Sequence, residues 1–134
     1  MYRVGFGDCF LLTLPVAGGG VKHILIDCGV HPGGDTGVME KVVADIAKET
    51  ERKLALVIVT HNHKDHVSGF GKCLADWKKF DVDHVWLPWT ENPADPDAVE
   101  LRQKQLAVAA AVERHLAVSP AAASKAAAQA VLVL

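Results

Sequence analysis

The sequence predicts a layered α/β (α+β) domain. Three observations carry that expectation. Two short apolar runs flank a triple-glycine turn, a helix-period segment follows them, and the apolar run Leu54-Ala55-Leu56-Val57-Ile58-Val59 is too short for a typical helix. Strand and helix patterns that alternate in this way build sheets covered by helices.

Phe10-Leu11-Leu12-Thr13-Leu14 reads as a strand, ended by Pro15 and the turn Gly18-Gly19-Gly20. Residues 21–27 read as its hairpin partner, with Ile24, Leu25 and Ile26 as a short buried run. Residues 28–37 form a loop containing His31-Pro32-Gly33-Gly34. From Val38 to Lys48, the apolar Val38, Met39, Val42, Val43, Ile46 and Ala47 recur at helical spacing, with Asp35 or Thr36 placed to cap the start. Residues 54–59 read as a central strand covered on both faces. Residues 69–79 then read as a helix burying Phe70, Leu74 and Trp77, and residues 83–86 as a further strand. Residues 90–97 are a loop rich in proline and acid. Residues 98–118 are a long helix, weakly amphipathic through Val99, Leu106, Ala109, Val112 and Leu116, and broken at Ser119-Pro120. The alanine-rich remainder stops on Val131-Leu132-Val133-Leu134, which reads as a strand cut short. The expected organisation is one partial domain over 1–134, with the core in 1–87 and a truncated loop and helical tail in 88–134.

Composition narrows the function classes. The chain has 134 residues, half of them hydrophobic, enough for one domain with a packed core. A net charge of −2 gives no electrostatic reason to expect nucleic-acid or membrane-surface binding. No apolar run approaches the roughly 20 residues of a membrane-spanning helix. Cys9, Cys28 and Cys73 are odd in number and widely spaced. They read as small buried hydrophobes in a reducing compartment, so a cytoplasmic location is expected.

Chemistry concentrates directly after the central strand. Thr60-His61-Asn62-His63-Lys64-Asp65-His66 places three imidazoles and a carboxylate within six positions, the ligand types that Zn²⁺, Mn²⁺ and Fe favour. In an extended loop, His61 and His63 point the same way and converge on one ion. A turn then brings Asp65 and His66 to a second ion nearby, and Gly69 relieves crowding where the chain enters the next helix. The bland alternative is a solvated polar loop whose Asp65 caps that helix. Four ligands in register behind a buried strand, where open α/β sheets place their sites, favour the metal reading.

His61-x-His63-x-Asp65-His66, preceded by Ile24-Leu25-Ile26-Asp27-Cys28-Gly29, resembles the metallo-β-lactamase fold superfamily of hydrolases. The start Val4-Gly5-Phe6-Gly7-Asp8 is similar to that of its branch related to the bacterial competence protein ComEC. The resemblance spans roughly residues 4 to 87 and implies the N-terminal half of a four-layer αββα sandwich with a dinuclear, zinc-type centre. It implies His61 and His63 on the first metal, and Asp65 and His66 on the second. Mn or Fe is compatible with the same set. Water activated there would attack the substrate, with Asp65 orienting it or taking its proton. Asp27 would hold a ligand imidazole from behind; a turn-forming Asp before Gly29 is the equal alternative.

The family completes its centre with a later His, a bridging Asp and a final His. Only His84 and His115 follow the cluster, and neither stands where a ligand is expected; His23 and His31 read as ordinary histidines as well. The expected function is therefore a metal-dependent hydrolase whose activity needs a further C-terminal half, the chain alone being inactive. Its substrate is a small molecule or a phosphodiester. The glycine–aspartate start leans towards phosphodiester or nucleic-acid chemistry, which the charge does not support. Self-association through an exposed sheet edge is open. The alternative class is a non-catalytic metal-binding or assembly module with the same fold. A di-iron redox role is a third, with no sign of a flavin partner segment.

Overall fold

In the computed structural model, residues 1–33 and 39–118 are described, with the backbone alone for 116–118. The expected cap at Asp35 or Thr36, the helical Val38, the side chain of Leu116, the Ser119-Pro120 break and the terminal strand-like run lie outside this set. The chain forms two units, Met1–Leu87 and Pro88–Leu134.

The first unit is the mixed α/β layer that the sequence predicts. Strands β1 (Cys9–Pro15) and β2 (Val21–Cys28) form an antiparallel hairpin. Its turn runs through Gly18, Gly19 and Gly20, all at φ near +90°, a backbone that only glycine adopts without strain. Helix α1 (Met39–Glu49) buries Met39, Val43, Ile46 and Ala47, one face at 3.6-residue spacing. Strands β3 (Lys53–Leu54) and β4 (Leu56–Ile58) follow. Next come helices α2 (Lys64–Lys72) and α3 (Leu74–Trp77), then strands β5 (Asp81–Val82) and β6 (Val85–Trp86). The main sheet has the order β1-β2-β4-β6, with β4 parallel to both neighbours, and β3 pairs with β5 separately.

The two short pairs are one ladder with a gap. Lys53 faces Asp81 and Val57 faces Val85 in the same register, and Asp83 N–H to Leu54 O (2.9 Å) and Val57 N–H to His84 O (2.9 Å) carry the chain across. The gap opens because Ala55 donates instead to His23 O of β2, at 2.9 Å. The expected strand over 54–59 is therefore present but interrupted.

Its coverage differs from expectation. Leu25 and Val57 face the helices and are buried in a core with Val4, Val43, Ile46 and Leu54. On the opposite face the register lines up Phe10, Ile26, Ile58 and Trp86 in one row, and Leu12, Ile24 and Leu56 in the next. Every one of those side chains is apolar, and none is fully buried. Trp86 is 63% exposed. The sheet is apolar on two faces, and the helices α1 and α2 cover one.

The helix expected over 69–79 is also reshaped. It starts at Lys64 and breaks at Cys73, so Cys73 enters the core while Leu74 turns out and is 54% exposed. Phe70, Trp77 and Phe80 stay together, with ring centroids 5.2 and 4.6 Å apart in sequence order. All three cysteines are free and buried, as expected.

The second unit holds a 3₁₀ turn, Trp89–Glu91, and helix α4, Pro96–Val118. Asp95 Oδ1 caps α4 by accepting from the backbone N–H of Asp97 (2.9 Å) and Ala98 (3.2 Å). Leu106, expected on a buried stripe, is exposed, as is Val108.

The asymmetry of the sheet is testable. Leu25→Ala is expected to cost about 2–5 kcal/mol by denaturant unfolding, as buried leucines do. Leu14→Ser on the open face is expected to stay within about 0.5 kcal/mol of the parent and to reduce binding of an apolar dye.

Candidate metal centre

The centre is built where β2, β4 and the first turn of α2 meet. β2 carries one extra residue relative to β1: Phe10 pairs with Ile26, whereas Cys9 pairs with Cys28. Asp27 is that extra residue, at φ +52°. Such a bulge interrupts the alternation of the strand and re-aims side chains. Asp is among the few non-glycine types that tolerate this backbone. Cys28 turns into the helix-side core beside Cys9, and the buried Asp27 carboxylate turns towards the loop after β4.

There it collects three donors. Asp27 Oδ1 accepts from Thr60 N–H at 2.8 Å. Asp27 Oδ2 accepts from the Thr60 hydroxyl at 2.7 Å and lies 2.8 Å from His66 Nδ1. Of the two readings open for Asp27, the geometry is that of a group holding an imidazole from behind. His66 Nε2 is left facing outward, 3.4 Å from Asp65 Oδ2.

The three imidazoles of the cluster stand together. The His61 ring centroid is 4.6 Å from that of His63 and 3.8 Å from that of His66. Burial pushes His61 below its ordinary value of 6.5, and neighbouring His66 and His63 push the same way against Asp27 and Asp65. Both influences favour the neutral imidazole, the form that binds metal. Asp65 and His66 occupy the first turn of α2 rather than a free loop, because the helix already starts at Lys64. Asp65 does not cap it: the preceding residue, His63, is the cap, and it makes no side-chain capping bond.

Backbone contact with glycines holds that turn in place. A Cβ at Gly29 would stand 2.5 Å from the backbone N and C of His66, and one at Gly7 would stand 2.8 Å from Asp65 O. The N-terminal loop is stitched to the same turn by Asp8 N–H to Asp65 O (3.1 Å), and to the end of β2 by Gly29 N–H to Asp8 O (3.0 Å). Gly69 does not mark the chain's entry into a helix, as expected, but lies within α2. A Cβ there would meet Cys28 Sγ at 2.7 Å and Met39 Sδ at 2.8 Å.

Asp8, Asp27 and His66 form a group whose ligand atoms all lie within 4.8 Å of one another. Asp8 Oδ2 is 3.7 Å from His66 Nδ1. As a ligand set this group is poor, since Asp27 is already loaded with donors and His66 Nδ1 points at it. Beside it stand the imidazoles of His61 and His63 and the Asp65 carboxylate, residue types that a divalent ion accepts. Asp8 adds a partly exposed carboxylate that sequence reading did not assign to the site, although its glycine-flanked setting was the available signal. Thr60 was missed too; a hydroxyl directly before His61 was the only hint. Of the other histidines, His84 and His115 are exposed, His23 Nδ1 meets Thr13 Oγ1 at 3.0 Å, and His31 packs edge-on against Phe6. A cleft of about 560 Å³ lies elsewhere, between Lys22, Glu51, Lys53 and Asp81, and includes none of the cluster residues.

With this geometry in place, comparison with known proteins decides the family. The family model of the metallo-beta-lactamase superfamily matches residues 2–108. The chain belongs to that superfamily. No curated protein and no solved structure matches it. The match covers the histidine cluster 61–66, the bulged strand with Asp27 and the glycine-rich start. No helix among the described residues is long and apolar enough to cross a membrane.

Two outcomes follow from the centre. Gly29→Ala should destabilise the fold by about 1–3 kcal/mol through overpacking and weaken metal binding, read by denaturant midpoint and metal stoichiometry. His61, whose folded value lies below 6.5, binds a proton less readily folded than unfolded. Its contribution to the stability of the metal-free fold is therefore complete above 6.5 and declines as pH falls below it. Unfolding curves of the parent and of His61→Ala between pH 5 and 8 check this, the parent losing more stability on the acid side.

Proposed function

We propose that this chain carries the metal-binding half of a metal-dependent hydrolase, with His61, His63, Asp65 and His66 as ligands and Asp27 as their support. One observation carries the reading. The rings of three imidazoles stand together beyond the carboxyl end of a central strand, and that of His66 is held from behind by a buried carboxylate. Zinc is the ion that this imidazole–carboxylate set suits best, two ions per complete site, with Mn or Fe compatible.

A bound divalent ion supplies a water of lowered pKa and polarises the oxygen under attack. The residues of the chain supply the rest. His61, His63 and His66 offer neutral nitrogen donors. Asp65, partly exposed beside His66 Nε2, orients the attacking water and takes its proton. Asp27 keeps the His66 ring from rotating. Catalytic zinc sites have three protein ligands per ion, so four ligands shared by two ions need further groups. A second layer packed on the open apolar face of the sheet is the natural source of those groups. The substrate class is an ester or phosphodiester, the latter favoured by the likeness of the Gly5-to-Asp8 start to the competence-protein branch.

A non-catalytic module with the same fold is the second reading. The exposed apolar face favours it, because that surface suits assembly with a partner. Metal analysis beside hydrolysis of a phosphodiester and an ester reporter separates the two. The hydrolase reading expects bound zinc, lost together with activity in a His61→Ala/His63→Ala variant of the full coding frame. Metal without turnover of either reporter supports the module, and unchanged metal content in the variant would sink the ligand assignment.

A further inference from the structure

The hydrogen inventory around Thr60 decides where two protons sit. A carboxylate oxygen only accepts, so the Thr60 hydroxyl, 2.7 Å from Asp27 Oδ2, must donate its single proton there. Thr60 Oγ1 can then only accept. Its other neighbour, His61 Nδ1 at 3.0 Å, must therefore be the donor. The same reasoning makes His66 Nδ1, 2.8 Å from Asp27 Oδ2, a donor. Both rings carry their proton on Nδ1 and keep the Nε2 lone pair for an ion.

We propose that Thr60 is a positioning residue that relays the Asp27 carboxylate to His61, so that one buried acid fixes the tautomer of two ligand imidazoles. His66 is held directly and His61 through the hydroxyl. The inference rests on the metal-centre reading for its consequence, but the tautomers themselves exist without metal. The relay divides the two ion positions: Thr60 serves the His61/His63 position, while Asp27 also serves the Asp65/His66 position. A positioning hydroxyl at this point needs a fixed backbone, and the bond from Thr60 N–H to Asp27 Oδ1 at 2.8 Å provides it. Because Thr60 is exposed, replacing it with valine removes the hydroxyl without opening a cavity.

The test compares the parent, Thr60→Val and Thr60→Ser. In the metal-free protein at alkaline pH, two-bond ¹⁵N–¹H correlation spectra report which ring nitrogen bears the proton. The parent and Thr60→Ser should show His61 as the Nδ1–H tautomer, and Thr60→Val should shift it towards Nε2–H while His66 stays unchanged. Asp27→Asn should release both rings. Zinc titration against a chromophoric chelator should show one binding step weakened about 10–100-fold in Thr60→Val, with Thr60→Ser close to the parent. An Nε2–H tautomer of His61 in the parent overturns the proposal, as does a Thr60→Ser variant as altered as Thr60→Val. If the parent binds no zinc, the hydrolase reading falls, and the tautomer spectra still decide the relay.

Discussion

The bulge at Asp27 is the constraint on which the rest depends. One extra residue in β2, at φ +52°, turns a strand-end aspartate away from the regular alternation and buries its carboxylate. An unpaired buried carboxylate would be costly, so three donors from two other segments must come to it. Thr60 brings the loop after β4, and His66 brings the first turn of α2. The strand, the loop and the helix are thereby locked at one point. The backbone strain there, on the order of 1–3 kcal/mol, is offset by the hydrogen bonds that it makes possible.

Glycines let the same segments approach closely. The turn carrying Asp65 and His66 lies directly on the backbone at Gly29 and Gly7, where no side chain fits. Below it, Gly69 leaves room for Cys28 and Met39, whose sulfurs are 3.6 Å apart. The position of the cluster residues is thus set by backbone packing at Gly7, Gly29 and Gly69, and less by the local preferences of the cluster itself. This explains how a helix can begin within the histidine cluster with no side-chain cap at its start.

Much of this was legible in the sequence, for identifiable reasons. The hairpin, α1 and the long helix α4 announce themselves through turn glycines, apolar periodicity and loop composition. The cluster 61–66 was legible because few other combinations of His and Asp behind an apolar strand make chemical sense. What stayed hidden was tertiary. Lys64, Asp65 and His66 have no apolar period, so the start of α2 could not be placed. Leu74 and Cys73 exchange roles because a helix break, invisible in composition, moves the buried face by one residue. Residues 54–59 looked doubly covered because a run of apolar residues does not say which face has a partner. Asp27 had two equal readings, since neither a bulge nor a positive φ is written in residue types alone. Asp8 and Thr60 belong to the site only through folding.

The three buried thiols give the centre a built-in clock. Cys9 and Cys28 pair at the bulge next to Asp27, and Cys73 lies in the same core, with the Cys28 thiol pushed far up by its hydrogen bond with Cys9 and by burial. None can react with a thiol reagent until the core opens, so labelling rates measure how often that opening occurs. A ligand that binds only the closed form lowers the population of open molecules by mass action. Occupancy of the histidine cluster should therefore be readable from below, as the slowing of alkylation at cysteines that never touch the ligand.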